Sequence, residues 1–146
     1  MKVLTVRQPW AWAIAEGYKT VENRTWSTSY RGPILIHAGT SSASMREGRA
    51  YLERLRIDAP PAEDLTYGAV VARVELVDCL PLADVDRTRH PFAEGPFCWR
   101  LDDVVAVEPV AMTGRLGLFT VDDVIAVSLL PRQPGPRRSR SLYDPA

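Results

Sequence analysis

The chain has 146 residues, 46% of them hydrophobic, and its 18 basic and 18 acidic side chains cancel. That length and apolar content match one globular domain with a real core and exclude global disorder, while zero net charge excludes a general polyanion-binding surface. No apolar run approaches the ~20 residues of a membrane helix, and Met1-Lys2-Val3-Leu4-Thr5 enters a strand pattern with no signal-peptide character, so the expected compartment is the cytoplasm.

Lys2 to Arg7 reads as a first strand. Pro9 to Glu16 reads as a short helix: Pro9 suits a first helical position, Gly17 suits the left-handed exit, and Trp10, Ala13 and Ile14 form an apolar stripe. Thr20 to Thr25 and Pro33 to His37 read as strands. Ser42 to Arg56 reads as a longer helix, with Ser44 as a candidate cap and Met45, Tyr51, Leu52 and Leu55 as its apolar face. Ala59-Pro60-Pro61-Ala62 breaks it. Val70, Ala72, Val74 and Leu76 alternate with Val71, Arg73 and Glu75, the pattern of a half-buried strand. Pro81 to Pro96 is expected to be a loop with a short helical turn, carrying Asp84, Asp86, Arg87, Arg89, His90 and Glu94. Phe97 to Leu101, Val104 to Val107 and Leu116 to Val121 read as strands, and Asp122 to Leu130 is ambiguous between strand and helix. Many short strands with two early helices predict an α+β, mostly β domain: a small barrel with two helices flanking it.

Residues 1–130 form the expected domain. Residues 131–146 form an expected flexible tail, rich in Pro, Arg and Ser, with Arg132, Arg137, Arg138 and Arg140 against Asp144. The tail carries +3 and leaves a body of −3. A nucleic-acid contact would therefore need a local pocket, helped by the tail as a basic arm. Cys79 and Cys98 fall in strand-like runs and are expected to be two buried thiols. No Cys-x-x-Cys or His-x-x-x-His spacing occurs, so no metal site is expected, and no cofactor.

The densest polar chemistry lies between Leu4 and Gly39. A strand through Thr20 to Thr25 puts Glu22, Arg24 and Trp26 on one face. Lys19 is one of only two lysines, with Lys2, in a chain whose other basic residues are all arginine. Lysine differs from arginine in being a compact charge that can lose its proton when buried. Each residue also has a plain structural reading. Trp10 on a short helix can be core, Glu22 and Arg24 can pair as a weak surface bridge, and His37 at a strand end can be bonded to backbone.

Gln8-Pro9-Trp10-Ala11, then Gly17-Tyr18-Lys19-Thr20-Val21-Glu22-Asn23-Arg24, then Tyr30-Arg31-Gly32 before an apolar strand, resembles the ASCH family, the activating-signal-cointegrator homology domains. Gly68 to Leu80, Gly95 to Leu101 and Gly114 to Phe119 resemble that family's central and closing strands. Thr113 stands where the family often has lysine, and Phe119 where it often has tryptophan, so no ligand contact is carried over from the closing strand. The resemblance implies a PUA-like barrel related to RNA-binding domains. On it, Gln8, Trp10, Lys19, Glu22, Arg24, Trp26, Arg31 and His37 would hold RNA, less readily DNA, or a modified nucleobase or nucleoside. Trp10 and Trp26 would be stacking platforms, Gln8 and Glu22 would meet base edges, and Lys19, Arg24 and Arg31 would meet phosphate or ribose. Some compact relatives are amidohydrolases on acetylated cytidine, using a lysine, a threonine and a glutamate. This chain keeps Lys19 but has Glu22 where those place the threonine. A metal-independent hydrolase using a Lys19/Glu22 pair is the alternative, and a protein-interaction module the third reading.

Overall fold

In the computed structural model, which describes residues 1–133, period-two alternation sorts the strand residues onto two faces of one sheet. Leu4, Val6, Ile34, Ile36, Ala72 and Val74 pack on one side with Ala11 and Ile14. Val3, Leu35, Val70 and Val107 pack on the other. The elements run β1 (Lys2–Val6), α1 (Trp10–Ala15), β2 (Val21–Arg24), β3 (Gly32–Ala38), α2 (Met45–Arg54), β4 (Ala69–Pro81), β5 (Phe97–Ala111), β6 (Leu118–Thr120) and α3 (Asp123–Val127). They form a six-stranded sheet in the order β2-β5-β4-β3-β1-β6. β1 pairs with β3 in parallel, and the other pairings are antiparallel. The sheet curls into a half-barrel. β2 lies at one edge and β1 four places along, yet Arg24 Nη2 donates to the Thr5 carbonyl at 2.8 Å across the opening.

The mostly β architecture and both flanking helices match the expectation. The differences are local and have physical causes. The two strands expected over 97–107 are one long strand, β5, because each register shift against β4 is absorbed as a bulge and not a break. One residue of that strand, Asp103, takes a left-handed φ of 50°. The ambiguous run after Asp122 is a third, short helix, capped by the Asp122 carboxylate, which accepts from the Val124 N–H at 2.9 Å. Ser44 stands at the N-cap of α2, but its side chain makes no capping bond. Cys98 is buried and Cys79 partly exposed, and both are free thiols.

Pro131 bridges to Val107, the Arg132 N–H donates to the Ala106 carbonyl, and the Arg132 guanidinium pairs with Glu16. The rest of the expected tail, with Arg137, Arg138 and Arg140, lies outside the described residues. Among the described residues, no helix is long and apolar enough to cross a membrane.

Candidate functional site

The site begins with the way α1 ends. Gly17 adopts φ +83°, its N–H donates to the Ile14 carbonyl at 3.0 Å, and the Tyr18 N–H donates to Ala13 at 2.9 Å. This is a Schellman stop, and only glycine takes that φ without a Cβ penalty. The Lys19 N–H returns to the same Ala13 carbonyl at 3.0 Å, so the chain doubles back beneath the helix. That turn carries the Lys19 side chain inward, to 3% exposure.

Inside, Lys19 Nζ donates to the Val21 carbonyl and lies 3.4 Å from Glu22 Oε1. Its ammonium sits 5.3 Å from the Trp10 ring centre and 5.5 Å from that of Phe92, within cation–π range. Glu22 is shared three ways: Oε1 also accepts from the Asn23 N–H at 3.1 Å, and Oε2 takes Arg24 Nη2 at 2.9 Å. Glu22 and Arg24, which on the plain structural reading could pair as a weak surface bridge, are thus part of a buried cluster of two cations on one carboxylate. Burial pushes the Lys19 pKa below the ordinary lysine value, while the Glu22 charge and hydrogen bond pull it back up.

Trp10, Tyr51 and Phe92 form a mutually edge-on aromatic wall, with ring centres 5.7–6.2 Å apart. Asn23 positions the Phe92 loop. Its Oδ1 accepts from the Glu94 and Gly95 N–H groups at 2.8 and 2.9 Å, and its Nδ2 donates to the Phe92 carbonyl at 2.9 Å. The Tyr51 hydroxyl donates to the Pro91 carbonyl and ties α2 to the same loop. His37 is buried. Its Nε2 lies 2.6 Å from the Met112 carbonyl and its Nδ1 3.2 Å from Thr5 Oγ1. Those partners assign the proton to Nε2, leaving Nδ1 to accept from the threonine hydroxyl.

Together these groups line one concave cavity of about 790 Å³. Of the residues expected at the site, Trp10, Lys19, Glu22, Arg24 and His37 line it. Gln8, Trp26 and Arg31 do not. The Gln8 amide is used within the fold, with Oε1 accepting from the Trp12 N–H and Nε2 donating to the Thr66 carbonyl, both at 2.8 Å. Trp26 lies past the end of β2, edge-on to Trp99 at 4.7 Å, so the expected one-face alignment with Glu22 and Arg24 stops at Arg24. Arg31 turns to the Thr28 and Tyr30 carbonyls and to Asp78. Tyr51, Phe92 and Asn23 are site residues that sequence reasoning misses. Tyr51 reads in sequence as part of an apolar helix face. Phe92, an aromatic just after a proline in a charged loop, is the available signal.

The ASCH domain family model matches residues 4–111. The chain belongs to the ASCH domain family. Activating signal cointegrator 1 from Homo sapiens is 35% identical over 81 residues, and its Mus musculus counterpart 33% over the same length. Each match covers 53% of this chain and 14% of the longer relative, so the chain spans about one seventh of the curated relatives it matches. Among solved structures, the ASCH protein of Zymomonas mobilis superposes with a TM-score of 0.60 at 13% identity, covering 89% of this chain and 96% of that one. A tyrosine-to-phenylalanine mutant of the same Zymomonas protein gives 0.58, also at 13% identity, over 88% and 97%. At that identity the likeness carries the ASCH fold alone.

Proposed function

We propose that this ASCH domain binds a single nucleobase or nucleoside, a modified one included, in the cavity between α1 and β2, and takes it from RNA in preference to DNA. The observation that carries the reading is the Lys19–Glu22–Arg24 cluster set against the Trp10, Tyr51 and Phe92 rings in one cavity. Its volume of about 790 Å³ falls within the range of roughly 300–1,000 Å³ usual for small-ligand sites. Aromatic rings give a flat solute its stacking surface, and the buried polar cluster gives its edge hydrogen-bond partners. The Thr40, Ser41 and Ser44 hydroxyls at the same cavity suit a ribose 2′-hydroxyl, which favours RNA.

Equilibrium binding of nucleosides and short single-stranded RNAs, with thermal shift in parallel, tests this. A ligand at 100 times its Kd raises stability by about 2.7 kcal/mol. Stacking on an aromatic side chain contributes about 1–3 kcal/mol per base, so Trp10→Ala should weaken binding roughly 5- to 150-fold. If folded Trp10→Ala and Lys19→Met proteins both bind like the parent, the cavity is not the site.

One observation favours hydrolysis as a second reading: Lys19 Nζ and Glu22 Oε1 converge to 3.4 Å within the cavity, where burial lowers the lysine pKa against the upward pull of Glu22. Against it, Glu22 stands three residues after Lys19, where the compact amidohydrolases carry their threonine nucleophile. Incubation with acetylated cytidine, followed by chromatography, should show no release of cytidine. Turnover that disappears in Lys19→Met would make Lys19 a catalytic residue.

A further inference from the structure

The rim loop between β5 and β6 is built unlike the rest of the site. Its root is fixed: the Met112 N–H donates to the Gly68 carbonyl at 3.0 Å, and the Met112 carbonyl is held by His37 Nε2. Gly114 lies flat on that anchor. A Cβ there would stand 2.9 Å from both His37 Cε1 and Thr5 Oγ1, so the loop seats only with glycine at this point. Beyond it, the tip presents Arg115 and Leu116 to solvent, both at the cavity edge. Leu116 is 100% exposed. The anchored loop thus holds a fully accessible apolar side chain at the cavity edge.

Arg7 adds a second cation. It directly follows β1, Arg115 shortly precedes β6, and β1 and β6 pair antiparallel with Leu4 opposite Leu118. Both arginines thus stand at the same end of one strand pair, and both line the cavity. Among the described residues, neither pairs with a carboxylate. Inside the cavity the arrangement is the opposite, since Lys19 and Arg24 share Glu22. Carboxylate-paired cations within, and cations without a carboxylate partner at the rim, suit a ligand whose anionic part stays outside.

We propose that the ligand is a nucleotide still joined to its strand: its base enters the cavity, Arg7 and Arg115 hold the adjoining backbone phosphates, and Leu116 fills the place the base leaves in the stack. The proposal rests on the base-binding reading above and specifies how the base is presented. Apolar side chains wedge between base steps in this way, and extrusion is least costly where a base is mispaired.

The test uses the full chain and labelled RNA followed by anisotropy. The probes are a single strand, a matched duplex, the same duplex with one central mismatch, and the corresponding free nucleosides. The parent should bind the mismatched duplex at least tenfold tighter than the matched one, and any strand tighter than a nucleoside. Leu116→Ser should lose fivefold or more on the mismatched duplex and stay within twofold on the single strand. Arg7→Ala with Arg115→Ala should weaken strand binding at least tenfold more than it weakens nucleoside binding. The slope of log affinity against log salt should flatten by about 0.7 per lost contact on single strands. Equal affinity for matched and mismatched duplexes, or a Leu116→Ser protein that matches the parent on both, overturns the wedge. An unchanged salt slope overturns the phosphate contacts. Nucleoside binding as tight as strand binding overturns the whole inference and leaves the base-binding reading intact, whereas that reading itself fails if folded Trp10→Ala and Lys19→Met proteins both bind like the parent.

Discussion

Replacing Glu22 with glutamine should destabilise the protein by about 3–5 kcal/mol and abolish ligand binding at the cavity. The carboxylate is 8% exposed and is shared by Lys19 at 3.4 Å and Arg24 at 2.9 Å. Glutamine keeps the shape but removes the charge, and an uncompensated buried cation is among the more expensive single defects a fold can carry. Arg24 cannot escape by losing its proton, and Lys19 can. The defect is therefore pH-dependent, with a definite sign. Burial already holds the folded pKa of Lys19 below the ordinary value of 10.5. Between those two values the unfolded chain binds more protons, so stability rises with pH across that window. Without Glu22 the folded pKa falls further and the window opens downward. The gap between parent and variant should thus be widest well below the parent's Lys19 pKa, narrow as pH rises toward it, and level off above it. Urea unfolding of both proteins across that range measures it. A cost under about 1 kcal/mol that does not vary with pH would mean that the two cations are hydrated and the cluster is not a buried unit.

The second large effect is expected at a residue with no chemistry. Gly48 lies on α2 where that helix crosses the start of α1, and a Cβ there would meet Pro9 Cδ at 2.6 Å, Pro9 Cγ at 2.8 Å and Trp10 Cζ2 at 3.2 Å. Pro9 is a ring with no rotamer to yield, so α2 itself must move. Gly48→Ala gains about 1 kcal/mol of helix propensity, which offsets part of the clash. Gly48→Val adds two more carbons and gains less, and its cost should reach the top of the ~1–3 kcal/mol range typical of overpacking. Tyr51 rides on the same helix, one turn along, and its ring lies 6.2 Å from that of Trp10. The displacement should therefore open the aromatic wall as well. The expected result is a graded series in melting temperature, parent above alanine above valine, with ligand affinity falling in the same order. Affinity unchanged in a destabilised valine variant would separate α2 from the cavity.

How the cavity is assembled divides between sequence and tertiary structure. Periodicity and end signals act over a few residues, and they are legible. Pro9 and Gly17 bracket α1, the alternation from Val70 to Leu76 lies within β4, and the run after Gly32 is β3. The ASCH resemblance is legible for the same reason, since its first block is contiguous. Lys19, Glu22 and Arg24 are readable because one turn and one short strand carry all three. What the sequence could not decide was which polar groups the fold would use up. Gln8 looks like a base-edge reader until Thr66, far along the chain, turns its carbonyl to Gln8 Nε2. Trp26 looks like a platform until Trp99 on β5 meets it edge-on. Phe92 and Tyr51 look like loop and core, and they become the wall only because Asn23 and the Pro91 carbonyl draw their segments together. Burial decided the rest. A carboxylate and a guanidinium two residues apart pair weakly in water, and the same two groups become a costly, tunable cluster once a curled sheet and a doubled-back helix end take the water away.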